Sequence, residues 1–187
     1  MTVACNQIAA IPPTITEFLE LLDVVGHNSM DRWSERRELM YGIDRHQFPK
    51  RKIIGTECVA VYEVRGEYAL EGPKSYISNM TDAEQVWKFT RVNDYVAGMF
   101  IWAGIEYLGK ARWPAISSVV ASIDRCGFRK DSFYFYQSQW TDKPVLHIFP
   151  HWNWRGKKGQ IINVICYKNC ESVELFLNGK SYGVQRY

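Results

Sequence analysis

Lys52-Ile53-Ile54-Gly55-Thr56-Glu57 is the stretch on which the fold turns. Two β-branched residues run through a glycine and a threonine into a single carboxylate, which reads as a buried strand delivering an acid at its C-terminal end. In a parallel barrel the chemistry sits at such strand ends. Taken alone, the six residues also fit a solvated carboxylate just past a strand, the commoner fate of a lone acid. The surrounding sequence has to decide.

Working outward, runs of the same kind recur. Asp23-Val24-Val25-Gly26-His27-Asn28 is a β-branched core ending in polar residues, and Tyr95 to Trp102 is a second apolar run. Thr2 to Ile8 reads as a third buried strand. Helical segments separate them. After Pro12-Pro13, Thr14 or Thr16 is placed to cap a helix through Glu17 to Leu22. Asp31 to His46 is charged and helix-permissive, broken by Gly42 and stopped by Pro49. Thr81-Asp82-Ala83-Glu84 predicts a helix start running to about Asp94, and Lys130 to Trp140 predicts another. Between Glu57 and Met80 the chain is irregular, and loops of that length are uncommon unless functional. Strands alternating with helices give the βα signature of a parallel sheet or barrel.

The pattern changes at Pro144. Val145 to Phe149, Gln160 to Tyr167 and Ser172 to Leu177 read as strands, and Asn178-Gly179 is a hairpin turn returning through Ser181 to Gln185. An all-β sandwich opens here and stops after three or four strands, where about seven are needed.

Composition narrows the function classes. A net charge of +3, with Lys and Arg scattered among Asp and Glu, favours neither nucleic acid nor an anionic membrane as partner. No run of about 18 apolar residues is present to cross a membrane, and the first residues lack a signal-peptide pattern, so the compartment stays open. The five cysteines show no metal-ligand spacing, and their odd number suits free thiols, although Cys166 and Cys170 flank a turn and could pair.

Three strand-end motifs, Asp23-Val24-Val25-Gly26-x-Asn28, Ile53-Ile54-Gly55-Thr56-Glu57 and Gly98-Met99-Phe100-Ile101-Trp102-x-Gly104-Ile105-x-Tyr107-Leu108-Gly109, closely resemble glycoside hydrolase family 2 in its β-galactosidase branch. Pro150-His151-Trp152-Asn153-Trp154 and Val173 to Gly179 resemble the start of the immunoglobulin-like domain that follows the catalytic barrel in those enzymes. The resemblance implies an α/β fold: residues 1–141 are the C-terminal half, strands five to eight, of a (β/α)8 TIM barrel, and residues 142–187 open a truncated immunoglobulin-like sandwich. On that plan the chain is expected to be a fragment of a longer protein, with Met1 not the true start.

The same resemblance makes Glu57 the nucleophile of a retaining exo-β-glycosidase acting on terminal β-galactosides, with β-glucuronide or β-mannoside specificity as near alternatives. Such enzymes use two carboxyls about 5–5.5 Å apart. The family's acid/base Glu follows an Asn, and no Asn-Glu pair occurs in these 187 residues. The isolated chain is therefore expected to be inactive or nearly so. Trp102 is the expected subsite aromatic, or else a core or lid tryptophan. Asn28 would bond a sugar hydroxyl or orient Glu57, or serve only as a turn residue. Glu106 and Tyr107 would bind sugar hydroxyls or only close their loop. No cofactor is required; relatives use Mg²⁺ or Na⁺ near the site, and no carboxylate cluster here specifies one.

Four positions depart from the family pattern. Tyr is usual at His27 and Ser29, Asp at Glu106, and Glu at Lys110, where a base replaces an acid and could favour ionised Glu57 if it came within about 4–6 Å. A reading of a different class is a non-catalytic carbohydrate-binding or structural remnant. Four parallel strands cannot close a barrel, so unpaired edges and self-association are expected.

Overall fold

The computed structural model describes residues 1–5, 13–28, 39–72, 75–111 and 113–186. Its centre is a parallel sheet of four strands in chain order, β1 (Thr2–Cys5), β2 (Val24–Asn28), β3 (Ile53–Glu57) and β4 (Val96–Met99). Helices α1 (Pro13–Glu20), α2 (Leu39–Gln47) and α3 (Tyr76–Val92) connect successive strands. Crossover helices are what parallel pairing demands. Beyond β3 and β4 the pairing continues irregularly, with Trp102 N donating to Val59 O at 2.9 Å and Ala60 bridging Trp102.

The C-terminal part begins with α4 (Asp131–Trp140) and continues in two antiparallel pairs, β5 (Leu146–Phe149) with β6 (Ile165–Lys168) and β7 (Ser172–Leu177) with β8 (Lys180–Arg186). Asn178 (φ 51) and Gly179 (φ 78) supply the left-handed turn that joins the last two strands. One buried cluster runs through both parts. Ile53 and Val96 of the sheet, Tyr76, Met80 and Val86 of α3, Phe135 of α4, and Phe149 and Tyr167 of β5 and β6 belong to it.

Several boundaries differ from the sequence expectation, each for a physical reason. β1 is exposed rather than buried, with Val3 38% exposed, because the sheet ends there among the described residues. α1 begins at Pro13, ahead of either threonine. α2 runs straight through Gly42, a site open enough that the glycine costs only its propensity, about 1 kcal/mol. α3 starts at Tyr76, not Thr81: Ser75 caps it, its Oγ accepting from Ser78 N at 3.2 Å. The first turn is pulled in by tertiary contacts, Tyr76 Oη donating to Asn163 O at 2.6 Å and Asn79 Nδ2 to Tyr62 O at 2.7 Å. The second tail strand, expected over Gln160 to Tyr167, covers Ile165–Lys168, and Cys166 and Cys170 are free thiols. The expected helix over 31–38 and the departure at Ser29 lie outside the described residues.

Candidate active site

β3 is clamped from both sides up to the residue that carries the acid. Phe100 N donates to Gly55 O at 2.8 Å and Cys58 N to Phe100 O at 2.9 Å, while Thr56 Oγ1 donates to His27 O at 3.2 Å. Glu57 is thus half-buried at a strand end whose backbone is fixed by both neighbours. Gly55 makes the approach possible: an added Cβ would lie 2.5 Å from Tyr41 Oη and closer still to Cys58 Sγ.

Asn28 sits in register beside Glu57 at the end of β2, across a shift in the pairing. Its Oδ1 is buried with no hydrogen-bond partner among the described residues. An orphaned amide oxygen costs free energy unless something else completes it. His27, one residue earlier, faces the helix layer: it is buried, its Nε2 lies 3.4 Å from Asp44 Oδ2 and its ring centroid 5.0 Å from that of Tyr41.

The segment after β4 supplies the aromatic wall. Trp102, half-buried and followed by a cis peptide to Ala103, meets Tyr107 edge to face with centroids 5.9 Å apart. The Tyr107 hydroxyl is buried without a partner among the described residues. Lys110 lays its Nζ 4.1 Å from the Trp102 ring centroid.

Glu106 is tied into the protein. Its Oε1 lies 2.6 Å from Lys130 Nζ, and its Oε2 accepts from Arg125 N at 3.3 Å. Of the two roles open to it, this arrangement fits loop closure, because the carboxylate is spent on protein donors. The sequence carries no local signal for the role of Lys130. Its ammonium is wholly buried and also donates to Glu63 O at 2.6 Å and Val119 O at 2.8 Å, so it ties the loop after β3 to the loop after β4. The same holds for Glu63, whose carboxylate accepts from the Asp131 and Ser132 amides at the start of α4. Burial, and then the neighbouring Asp131, push its carboxyl up to about 7. Residues so far apart in the chain carry no local signal of pairing. Among the described residues no group of three or more His, Cys, Asp or Glu side chains is arranged to hold a metal.

A partly exposed carboxylate at a fixed strand end, with an orphaned amide beside it, and a pair of packed aromatics on the segment after β4 are residue types that suit the capture of a hydroxyl-rich ring and attack upon it. The family described as "Domain of unknown function (DUF4982)" matches residues 159–187. The beta-galactosidase BoGH2A of Bacteroides ovatus is 36% identical, over 89% of this chain and 22% of its own length. A putative beta-glucuronidase of Formosa agariphila is 44% identical, over 54% of this chain and 10% of its own. The solved structure of a glycosyl hydrolase family 2 member from Bacteroides cellulosilyticus superposes with a TM-score of 0.66 at 29% identity, covering 99% of this chain and 23% of that one. The chain thus spans a quarter or less of each of these relatives.

Proposed function

We propose, starting from the fact that this chain belongs to glycoside hydrolase family 2, that it carries the nucleophile side of a retaining exo-β-glycosidase site. Glu57 attacks the anomeric carbon, a glycosyl ester forms, and water later releases the sugar. The observation that carries this reading is the register of Glu57 with Asn28, whose buried Oδ1 lacks a partner among the described residues. Asn28, in register beside Glu57, would orient the carboxylate while the sugar's anomeric carbon faces it. Trp102 would cover the ring's CH face, and Tyr107 would fix the tryptophan's tilt and offer its hydroxyl. Glu106 holds the loop that presents them.

Terminal β-galactosides are the proposed substrate class, supported by the similarity to a beta-galactosidase over most of the chain. A β-glucuronide is the second reading, supported by the 44% identity to a putative beta-glucuronidase. With no Asn-Glu dipeptide among the 187 residues, the polypeptide has no counterpart of the family's proton donor. General acid catalysis is typically worth about 10²–10⁴-fold, so an unactivated glycoside should turn over negligibly on this polypeptide.

An activated reagent removes the need for that proton. A 2,4-dinitrophenyl 2-deoxy-2-fluoro-β-galactoside loses dinitrophenolate without assistance and should leave the fluorosugar esterified to Glu57, identified by peptide mass mapping. The Glu57→Gln variant should stay unlabelled. A tag on any other residue overturns the assignment.

A further inference from the structure

In the loop after β4, Glu106 and Lys110 carry opposite charges, and the fold treats them in opposite ways. Glu106 is neutralised: its side chain is 7% exposed, and Lys130 Nζ at 2.6 Å and Arg125 Nε at 3.5 Å hold its two oxygens. Lys110 is exposed and makes no ion pair among the described residues. Its position is nonetheless fixed. Lys110 (φ 44) follows Gly109 (φ 87) in a left-handed pair, Gly109 N donates to Ile116 O at 3.2 Å, and Ser118 N to Tyr107 O at 3.2 Å. The turn sends the ammonium back over Trp102.

We propose that Lys110 is a specificity-determining residue that reads an anionic group, a carboxylate or a sulfate ester, on the terminal sugar. The inference rests on Glu57 as nucleophile and on Trp102 as the sugar-facing aromatic. An anionic sugar brought to Glu57 meets a like charge and needs a compensating cation beside the ring. A neutral sugar has no use for one. With Glu106 withdrawn by Lys130 and Arg125, the cation over Trp102 is not cancelled within its own loop. An ammonium resting on an aromatic face keeps its N–H donors available for a charge-assisted hydrogen bond.

Three 2,4-dinitrophenyl 2-deoxy-2-fluoro-β-glycosides test it on the 187-residue chain: the galactoside, the glucuronide and the galactoside 6-sulfate. In each, a Glu57 oxygen forms the bond to the anomeric carbon while the bond to dinitrophenolate breaks, and the phenolate leaves with the electron pair. At least one anionic reagent should label faster than the neutral one, and which does so separates carboxylate from sulfate. Lys110→Met should lower that anionic-to-neutral rate ratio by about 10- to 100-fold, Lys110→Arg should retain it, and added salt should erode it because the lysine is exposed. Equal slowing of all three reagents in Lys110→Met, or a ratio that the substitution leaves alone, overturns the proposal. Failure of every reagent to label Glu57 counts against the nucleophile instead. Tryptophan fluorescence titrations with D-glucuronate, D-galactose 6-sulfate and D-galactose then decide the role of Lys110. Absence of a Lys110-dependent preference for either anion overturns it.

Discussion

Lys130 shows how much one side chain can hold. Its ammonium is fully buried and bound to Glu106 and to two backbone carbonyls, so replacing it by methionine strands a buried carboxylate. Breaking such a pair from one side costs about 3–5 kcal/mol. Lys130→Met should lower the urea midpoint accordingly, and the double variant Lys130→Met with Glu106→Leu should recover part of the loss. Gly55 is the second residue with no substitute. Gly55→Ala forces a methyl against Cys58 and the Tyr41 hydroxyl, and overpacking of this kind costs about 1–3 kcal/mol. Denaturation curves of the variant should show that drop together with slower labelling of Glu57, because the crowded residue sits in the strand that delivers it.

At the scale of elements, the N-terminus of α4 carries a pH dependence. Glu63 accepts from the Asp131 and Ser132 amides and the Ser132 hydroxyl, at 2.5, 3.3 and 2.8 Å. Asp131 lies beside it and Lys130 Nζ bonds its carbonyl, while His147 on β5 faces Asp131 at 2.6 Å. Burial dominates, and the carboxyl titrates near 7 in place of the model-compound value of 4.5. The native state therefore holds this proton more tightly than the unfolded chain. Its stabilisation is complete below the unfolded value and is lost as pH rises through the native one. Melting temperature should decline between about pH 4.5 and 7, and Glu63→Gln should flatten that slope.

The strands β2, β3 and β4 were readable because β-branched and apolar runs ending in polar residues leave little choice. So was α4, bounded by Lys130 and Thr141. The start of α3 was not, since the local cap signal at Thr81 lost to Ser75 once Tyr76, Asn79 and Met80 found partners in the core. Glu57, Asn28, Trp102 and Tyr107 were legible as strand-end and loop residues. The Glu63 and Lys130 network was not, because residues separated by 67 positions pair only after folding. Ser75→Ala should cost about 1 kcal/mol through loss of the cap, visible as a matching shift in the denaturation midpoint.

For the whole molecule, the sheet ends at β1 and β4 among the described residues, so both edges present unpaired backbone. Beside β4 a groove of about 1140 Å³ opens between Trp87, Arg91, Met99 and Trp140. The β7–β8 hairpin leaves Phe176, Tyr182 and Val184 more than half exposed. Edges and apolar faces of this kind recruit partners. Sedimentation velocity on the isolated chain should show concentration-dependent association, and Val3→Lys on the β1 edge should weaken it.

The proposed boundary between residues 141 and 142 divides architectures, yet Phe149 and Tyr167 are buried in the same cluster as Ile53 and Val96. Truncation after Thr141 would strip that cluster of two of its aromatic rings. Removing Phe149 alone, as Phe149→Ala, forfeits about 3–5 kcal/mol. A lesion in the tail, remote from any sugar, would then surface in an assay as lost reactivity of the distant carboxylate, and a screen would mistake a scaffold defect for a chemical one.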